Sequence, residues 1–519
     1  MTAPHKPVRR IAPALPGWQR LGLLTAVLMI GGAFLLPAGT RPQWWHLAIA
    51  AVITLVFLGS WHGQHWSTAL QRWTPMTYRN RRARRPGHKP KTGQSADKSS
   101  EPRKHRRAEE PAGAPDLSAS TITVHIRPQP HGLITAGDSS SQLPWPFVMS
   151  WLQRYGLHAD ILTAGSVRTT PPGSALRQDV DRLLTGYTSQ HEDTWISYTL
   201  TTGSNLEALA ARGTDIATVA ATTARRLIAE LREKGWLATL VDDPKNQLPQ
   251  FVHPDAAVRR ECWTGTEYVD GFRAVYTINP QALSATLAAL PSLPTKSTWI
   301  AVTIRAPGHQ APTIEAVAAT WVASRPDRVP LPGLDGCHGR HRQMAEVMSV
   351  DDSLSGDVPR QLLEDLDLST LRWPTAAAGV PIGSNRAMET KYLGLASPEP
   401  VRITIAGEPA FQVSMCARLA LSGLPMAIYS PRWQMWQPLA NHAATEQFAH
   451  MPVRPAPGAI VVDDGIGEVP AAHTSVMLRA PGESFARTTI TIEQDRQRPT
   501  LFSITTPKGS ELLTTQMSN

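Results

Sequence analysis

Residues 21–38 read LGLLTAVLMIGGAFLLPA, and residues 44–61 read WWHLAIAAVITLVFLGSW. Between Arg20 and Arg41 lie 20 residues without a formal charge, and between Arg41 and Arg72 lie 30 more. A helix rises about 1.5 Å per residue, so about 20 apolar residues match a hydrocarbon core of roughly 30 Å. No water is available inside a bilayer, and a helix satisfies its own backbone there. The two runs therefore predict a transmembrane helical hairpin turning at Pro37-Ala38-Gly39-Thr40-Arg41-Pro42.

The flanks agree with that expectation. Trp18 precedes the first run, Trp44 and Trp45 open the second, and Trp61 and Trp66 close it, as rings at headgroup level would. Lys6, Arg9, Arg10 and Arg20 stand before the hairpin; Arg72, Arg79, Arg81, Arg82, Arg84 and Arg85 stand after it. Only Arg41 lies in the turn. The positive-inside bias then puts both termini in the cytoplasm, with two spans in the inner (plasma) membrane. A cleaved signal peptide would suit Arg9-Arg10, yet no small-x-small cleavage site follows and a second span does. A buried hairpin of a soluble protein is the other reading, and charge-free runs of this length are rare in one.

The net charge of +9 is unevenly placed. Residues 1–78 carry +6, residues 79–107 carry +10, and the remainder, 108–519, carries −7. A nucleic-acid-binding globular domain would need positive charge on its own surface, so that class is disfavoured. The six arginines after the hairpin suit anionic lipid headgroups instead. Residues 79–119 are charged and rich in Pro, Gly and Ser, and they predict a flexible tether. The expected organisation is an N-terminal segment at 1–71, a basic linker at 72–119, and a cytosolic α/β region at 120–519. An irregular stretch at 325–375 is the place for a division into subdomains.

Within that region, alternation predicts strands at 121–127, 133–135, 159–163, 194–201, 272–278 and 298–305. A short helix is expected at 144–155, closed by Gly156, and another at 281–290. The strongest helix is 216–234, where Ile216, Val219, Ala220, Thr223, Leu227 and Leu231 share one face between an Asp215 N-cap and Gly235. With the strand at 236–241 it makes a βαβ unit. A second unit is expected from strand 401–406, helix 409–421 and strand 426–430, followed by strands at 459–462, 475–479, 488–493 and 500–505.

Chemistry is sparse. There is no G-x-x-x-x-G-K-[ST] phosphate loop, no G-x-G-x-x-G after a strand, no G-x-S-x-G elbow and no H-E-x-x-H. Cys262, Cys337 and Cys416 are too scattered for a disulfide framework. Cys337-His338-Gly339-Arg340-His341 offers a thiolate and two imidazoles, short of the fourth ligand that a structural zinc site wants. Asp463-Asp464-Gly465 follows a strand, where two carboxylates would suit a divalent ion and a sugar-nucleotide phosphate. Asp-Gly is also a frequent turn pair, and that reading is favoured. No catalytic, cofactor or metal residue is assigned.

The order of several short segments carries a resemblance. Thr194-Trp195-Ile196 leads through Ala211-Arg212-Gly213 into Thr222-Thr223-Ala224-Arg225-Arg226-Leu227. Ala376-Ala377-Ala378-Gly379-Val380-Pro381-Ile382-Gly383 and Pro431-Arg432-Trp433-Gln434 come later. Together with the hairpin, they make the chain resemble the EccE family of the type VII (ESX) secretion system. The resemblance implies a non-enzymatic structural subunit assembled with EccB, the EccC ATPase and EccD, and a cytosolic part like a glycosyltransferase fold without its catalytic groups. The alternative is a membrane-anchored glycosyltransferase-like enzyme using Asp463 and Asp464.

Overall fold

A computed structural model describes residues 64–83, 119–128, 132–135, 143–169, 191–251, 257–308, 310–347, 358–367, 379–395, 397, 399–442, 447–483 and 488–515. It also describes positions 60, 61, 371 and 373, and the isolated residues 22, 25, 26, 29, 44, 46, 48 and 54, all eight of which are helical. Most of both expected spans lies outside the described residues, as do Arg84 and Arg85. No helix among the described residues is long and apolar enough to cross a membrane.

The chain forms two compact units, one from residues 1–101, 252–275 and 336–346, the other from 102–251, 276–335 and 347–519. In chain order the elements used below are α1 (Trp66–Ala83), β1 (Ala119–Pro128), β2 (Leu133–Thr135), α2 (Trp145–Ser150), β3 (Leu157–Thr169), β4 (His191–Thr201), α3 (Leu206–Arg212), α4 (Ile216–Glu233) and β5 (Trp236–Leu240). Then come β6 (Val258–Cys262), β7 (Gly265–Tyr268), β8 (Gly271–Ile278), α5 (Leu283–Ala289), β9 (Ser297–Arg305), β10 (Thr313–Val322) and α6 (His341–Val347). The remainder gives β11 (Val380–Ser384), β12 (Thr390–Leu393), β13 (Val401–Ala406), α7 (Pro409–Ala420), β14 (Met426–Tyr429), α8 (Trp433–His442) and β15 (Phe448–His450). The tail is β16 (Ile460–Asp463), β17 (Thr474–Arg479), β18 (Ile490–Gln494), β19 (Leu501–Thr506) and β20 (Gly509–Thr514).

In the first unit, β6 and β7 pair antiparallel, and β7 pairs antiparallel with the start of β8. Helix α1 packs on β6. It runs past the expected boundary at residue 71 and through 72–83, the first part of the expected linker. The apolar side chains Ala69 and Met76 explain the difference: they are buried on one face of the helix, a local signal that the charge run after Arg79 obscures.

The second unit holds two sheets. The first is antiparallel, in the order β5-β1-β4-β3-β9-β10. Asp215 caps α4, its Oδ1 accepting the Thr218 N–H at 2.6 Å, and Ile216, Val219, Ala220, Ala224, Leu227 and Leu231 are buried. The expected βαβ unit is a split one. Strands β4 and β5 run parallel because each is antiparallel to β1, which lies between them, and α4 crosses that gap. On β3, Gly165 faces Trp195 of β4, and a Cβ there would stand 2.3 Å from the indole. The glycine makes room for a ring that meets Trp299 edge-on at 6.2 Å.

The second sheet is mixed, in the order β15-β14-β16-β17-β13-β18-β19-β20-β11-β12-β2. Its pairs from β15 to β18 are parallel and the rest antiparallel. Parallel strands are covered on both faces. Phe411, Met415 and Leu419 of α7 pack with Ile403, Ile405 and Val462 in one core. On the opposite face, Ala427, Tyr429 and Val461 are covered by Ile466, Val469 and Ala472. The expected strand–helix–strand at β13-α7-β14 is present, with β17 and β16 lying between its two strands. The stretch 325–375 is not wholly irregular, since α6 lies within it.

Candidate functional site

The only acidic pair singled out in the sequence sits where β16 ends, at the carboxyl edge of the parallel strands, the usual ligand side of such sheets. Asp463 and Asp464 are both buried. Asp463 turns its Oδ1 to the N–H groups of Ile466 (2.9 Å) and Gly467 (3.1 Å). That closes a turn in which Gly465 and Gly467 both take φ of +85°, a conformation that favours glycine. Asp464 accepts from the Ser430 hydroxyl at 2.5 Å, from the Trp436 indole N–H at 3.4 Å, and from the Arg432 guanidinium. Ser430 in turn accepts the Trp436 indole N–H at 3.1 Å and the Arg432 backbone N–H at 3.0 Å. Burial, with the Asp464 carboxylate nearby, pushes the Cys416 thiol up, so it remains a protonated core group. One carboxylate thus shapes a turn and the other anchors α8 to the end of β14.

The histidine–cysteine segment lies in the first unit. The His338 ring stacks on Trp263 with centroids 5.7 Å apart and planes at 1°, and its Nδ1 lies 3.2 Å from the Trp263 carbonyl. His341 is fully enclosed, and its Nδ1 accepts the Val275 N–H at 3.0 Å. Burial, helped by the neighbouring His338, pushes the His341 pKa down to about 3, so the ring is neutral near pH 7. Cys337 gives its backbone N–H to Val275, and Gly339, at φ +73°, gives its own to Trp263. The segment is fastened to β8 and to the β6–β7 turn. No group of three or more His, Cys, Asp or Glu side chains suited to a metal ion occurs among the described residues.

Of the arginines expected at the membrane, Arg79 and Arg81 are placed differently. Arg79 turns inward, its Nε 3.0 Å from both Glu261 oxygens and an Nη 2.8 Å from Oε2. Beside it, the Asn80 amide donates to the Glu261 carbonyl and accepts its N–H, both at 2.9 Å, as a neighbouring strand would. Arg342 reaches Glu261 at 3.4 Å. Arg81 is exposed.

A feature without a motif of its own in the sequence lies on α4. A cavity of about 230 Å³ is lined by residues including Tyr155, Arg212, Thr218, Thr222, Thr223 and Arg226. The Arg226 guanidinium lies over the Tyr155 ring at 4.8 Å, and Arg154 over the same ring at 5.3 Å. Glu230 joins them, taking the Tyr155 hydroxyl at 2.9 Å and Arg154 at 2.7 Å. Its sequence signal is the run 222–227, one of the EccE-like segments.

A sequence model described as "Putative type VII ESX secretion system translocon, EccE" matches residues 188–278, a stretch that holds β4, α3, α4 and β5 to β8. Over 325 residues the chain is 27% identical to the ESX-3 secretion system protein EccE3 of Mycolicibacterium smegmatis, covering 62% of this chain and 84% of that protein. Both likenesses are to the EccE family. Both are described as components of type VII (ESX) secretion systems, and no enzymatic family is indicated. The EccE match takes in the α4 side of the cavity, with Arg212 and Arg226, and also Glu261, the partner of Arg79. It does not reach Asp463 and Asp464.

Proposed function

We propose that this EccE chain is a non-catalytic structural subunit of the ESX membrane complex, supporting assembly and hence export. It is held in the plasma membrane by a two-span hairpin with both termini in the cytoplasm. Its partners are the complex's other membrane components, of the EccB, EccC and EccD kinds, with the ATPase supplied by EccC. The mixed sheet is then a glycosyltransferase-like sheet whose carboxyl edge no longer handles a phosphate.

One observation carries the non-catalytic reading. Both carboxylates at that edge are buried and engaged in the fold: Asp463 with turn amides, Asp464 with Ser430, Arg432 and Trp436. A metal–phosphate site needs carboxylate oxygens open to the ion. Replacing both with Asn tests it: secretion should stay near normal once protein level is matched to wild type. Abolished secretion with normal protein level and normal complex assembly would favour the enzyme reading. Assembly is tested by purifying the full-length chain in mild detergent, where a large complex containing a separate ATPase is expected. A free monomer, in cells that secrete normally without it, would overturn the scaffold reading.

A further inference from the structure

We propose that α1 lies along the cytoplasmic face of the bilayer as an interfacial helix. Leu70, Trp73, Tyr78 and Arg81 on its outward face enter the headgroup layer, while Arg79 and Asn80 hold its other face on the first unit. The proposal rests on the hairpin reading above.

The two faces of α1 differ in kind. Ala69 and Met76 are buried, and Arg79 and Asn80 on the same side engage Glu261. The remaining face leaves Leu70 59% exposed, Trp73 45% and Tyr78 67%, with Arg81 also exposed. Single exposed apolar side chains are ordinary on a protein surface. Here three fall on one side of a single helix together with an arginine, the composition of helices that lie in a bilayer interface. Trp and Tyr suit that depth because each carries an apolar ring with a polar tip.

Placement and charge name the occupant. Four residues separate Trp61, the end of the second apolar run, from the start of α1. Across that gap Ser60 pairs antiparallel with His65, and Trp61 with Gln64, so the chain reverses as it leaves the run. Helix α1 contains four arginines and no acid, and the basic run 79–107 overlaps and follows it. Positive charge beside aromatic rings at the cytoplasmic end of a span complements an anionic lipid surface.

The test uses the full-length chain in proteoliposomes of phosphatidylcholine and phosphatidylglycerol. Photoreactive benzoyl-phenylalanine is placed singly at Met29, Trp73 or Tyr78, three positions whose side chains are exposed. After illumination, all three proteins should carry covalently attached phospholipid, detected by mass. Arg81→Glu should lower the lipid yield at positions 73 and 78 and leave that at 29 unchanged. Lipid at 29 with none at 73 or 78, or with a protein adduct there instead, overturns the interfacial helix and spares the hairpin. No lipid at 29 removes the hairpin, and this inference with it.

Discussion

Arg79 and Glu261 stand 182 positions apart in the chain and meet as a two-pronged ion pair, with Asn80 pairing to the backbone of the same glutamate. The Glu261 side chain is 6% exposed and that of Arg79 34%. The helix that follows the apolar runs is thereby bolted to the edge strand β6. Arg79→Ala should destabilise the first unit by about 2 kcal/mol. That is below the roughly 3–5 kcal/mol for breaking a fully buried pair, because Arg79 is partly solvated and Arg342 remains. Hydrogen exchange at residues 258–262 of the full-length protein in detergent should accelerate, and Arg81→Ala should leave it unchanged. Equal effects from the two substitutions would remove the special role of Arg79.

Asp464→Asn keeps the shape of the side chain and loses its charge toward Arg432. Hydrogen bonds to a charged group contribute about 1.5–3 kcal/mol, so a lower urea midpoint is expected. Secretion per folded molecule should not change. Asp463→Asn should be milder, since an Asn carbonyl also accepts the two turn amides.

Acid should weaken the second unit through Asp193. Burial raises the pKa of this carboxyl, but the His125 hydrogen bond and the Arg127 charge outweigh it and bring the value down to about 2. A depressed folded pKa contributes stability that is present above the ordinary value of 3.8 and lost as pH falls from there through about 2. The contribution is roughly 2 kcal/mol. Asp193→Asn should therefore lower stability at pH 7 and flatten its fall between pH 4 and pH 2, read as urea midpoints. A variant with the wild-type slope in that window would contradict the assignment.

Gly165→Ala forces a methyl group to within 2.3 Å of the Trp195 indole. Overpacking of this kind costs about 1–3 kcal/mol. Trp195→Leu also destabilises the sheet, but in its background the added Gly165→Ala should cost little. A thermal-melt double-mutant cycle measures that coupling.

Elements with a clear period were legible from sequence alone. Helix α4 emerged with its cap, and β9 emerged from its alternation. Strand β10 did not: all of 314–320 is buried, so no polar residue marks an outward face, and a run such as Ala316-Val317-Ala318-Ala319 reads equally as helix. Strand β6 was hidden by Arg259, Arg260 and Glu261, whose charges suggest a loop until Arg79 and Asn80 are placed beside them. Pro438 inside α8 concealed that helix. The turn role of Asp463-Asp464-Gly465 followed from residue type. The bond of Asp464 to Arg432, Ser430 and Trp436 has no local signature, because its partners lie about 30 residues upstream.

Strand β2 comes early in the chain, yet it closes the far margin of the mixed sheet, pairing Leu133, Ile134 and Thr135 with Leu393, Tyr392 and Lys391. During synthesis that three-residue segment is made some 250 residues before its partner strand, so it must wait for β12 to emerge. A fragment beginning beyond residue 375 would lack it and expose the β12 backbone as an open template. Such a fragment should self-associate through that margin, and a supplied peptide spanning 130–137 should suppress it.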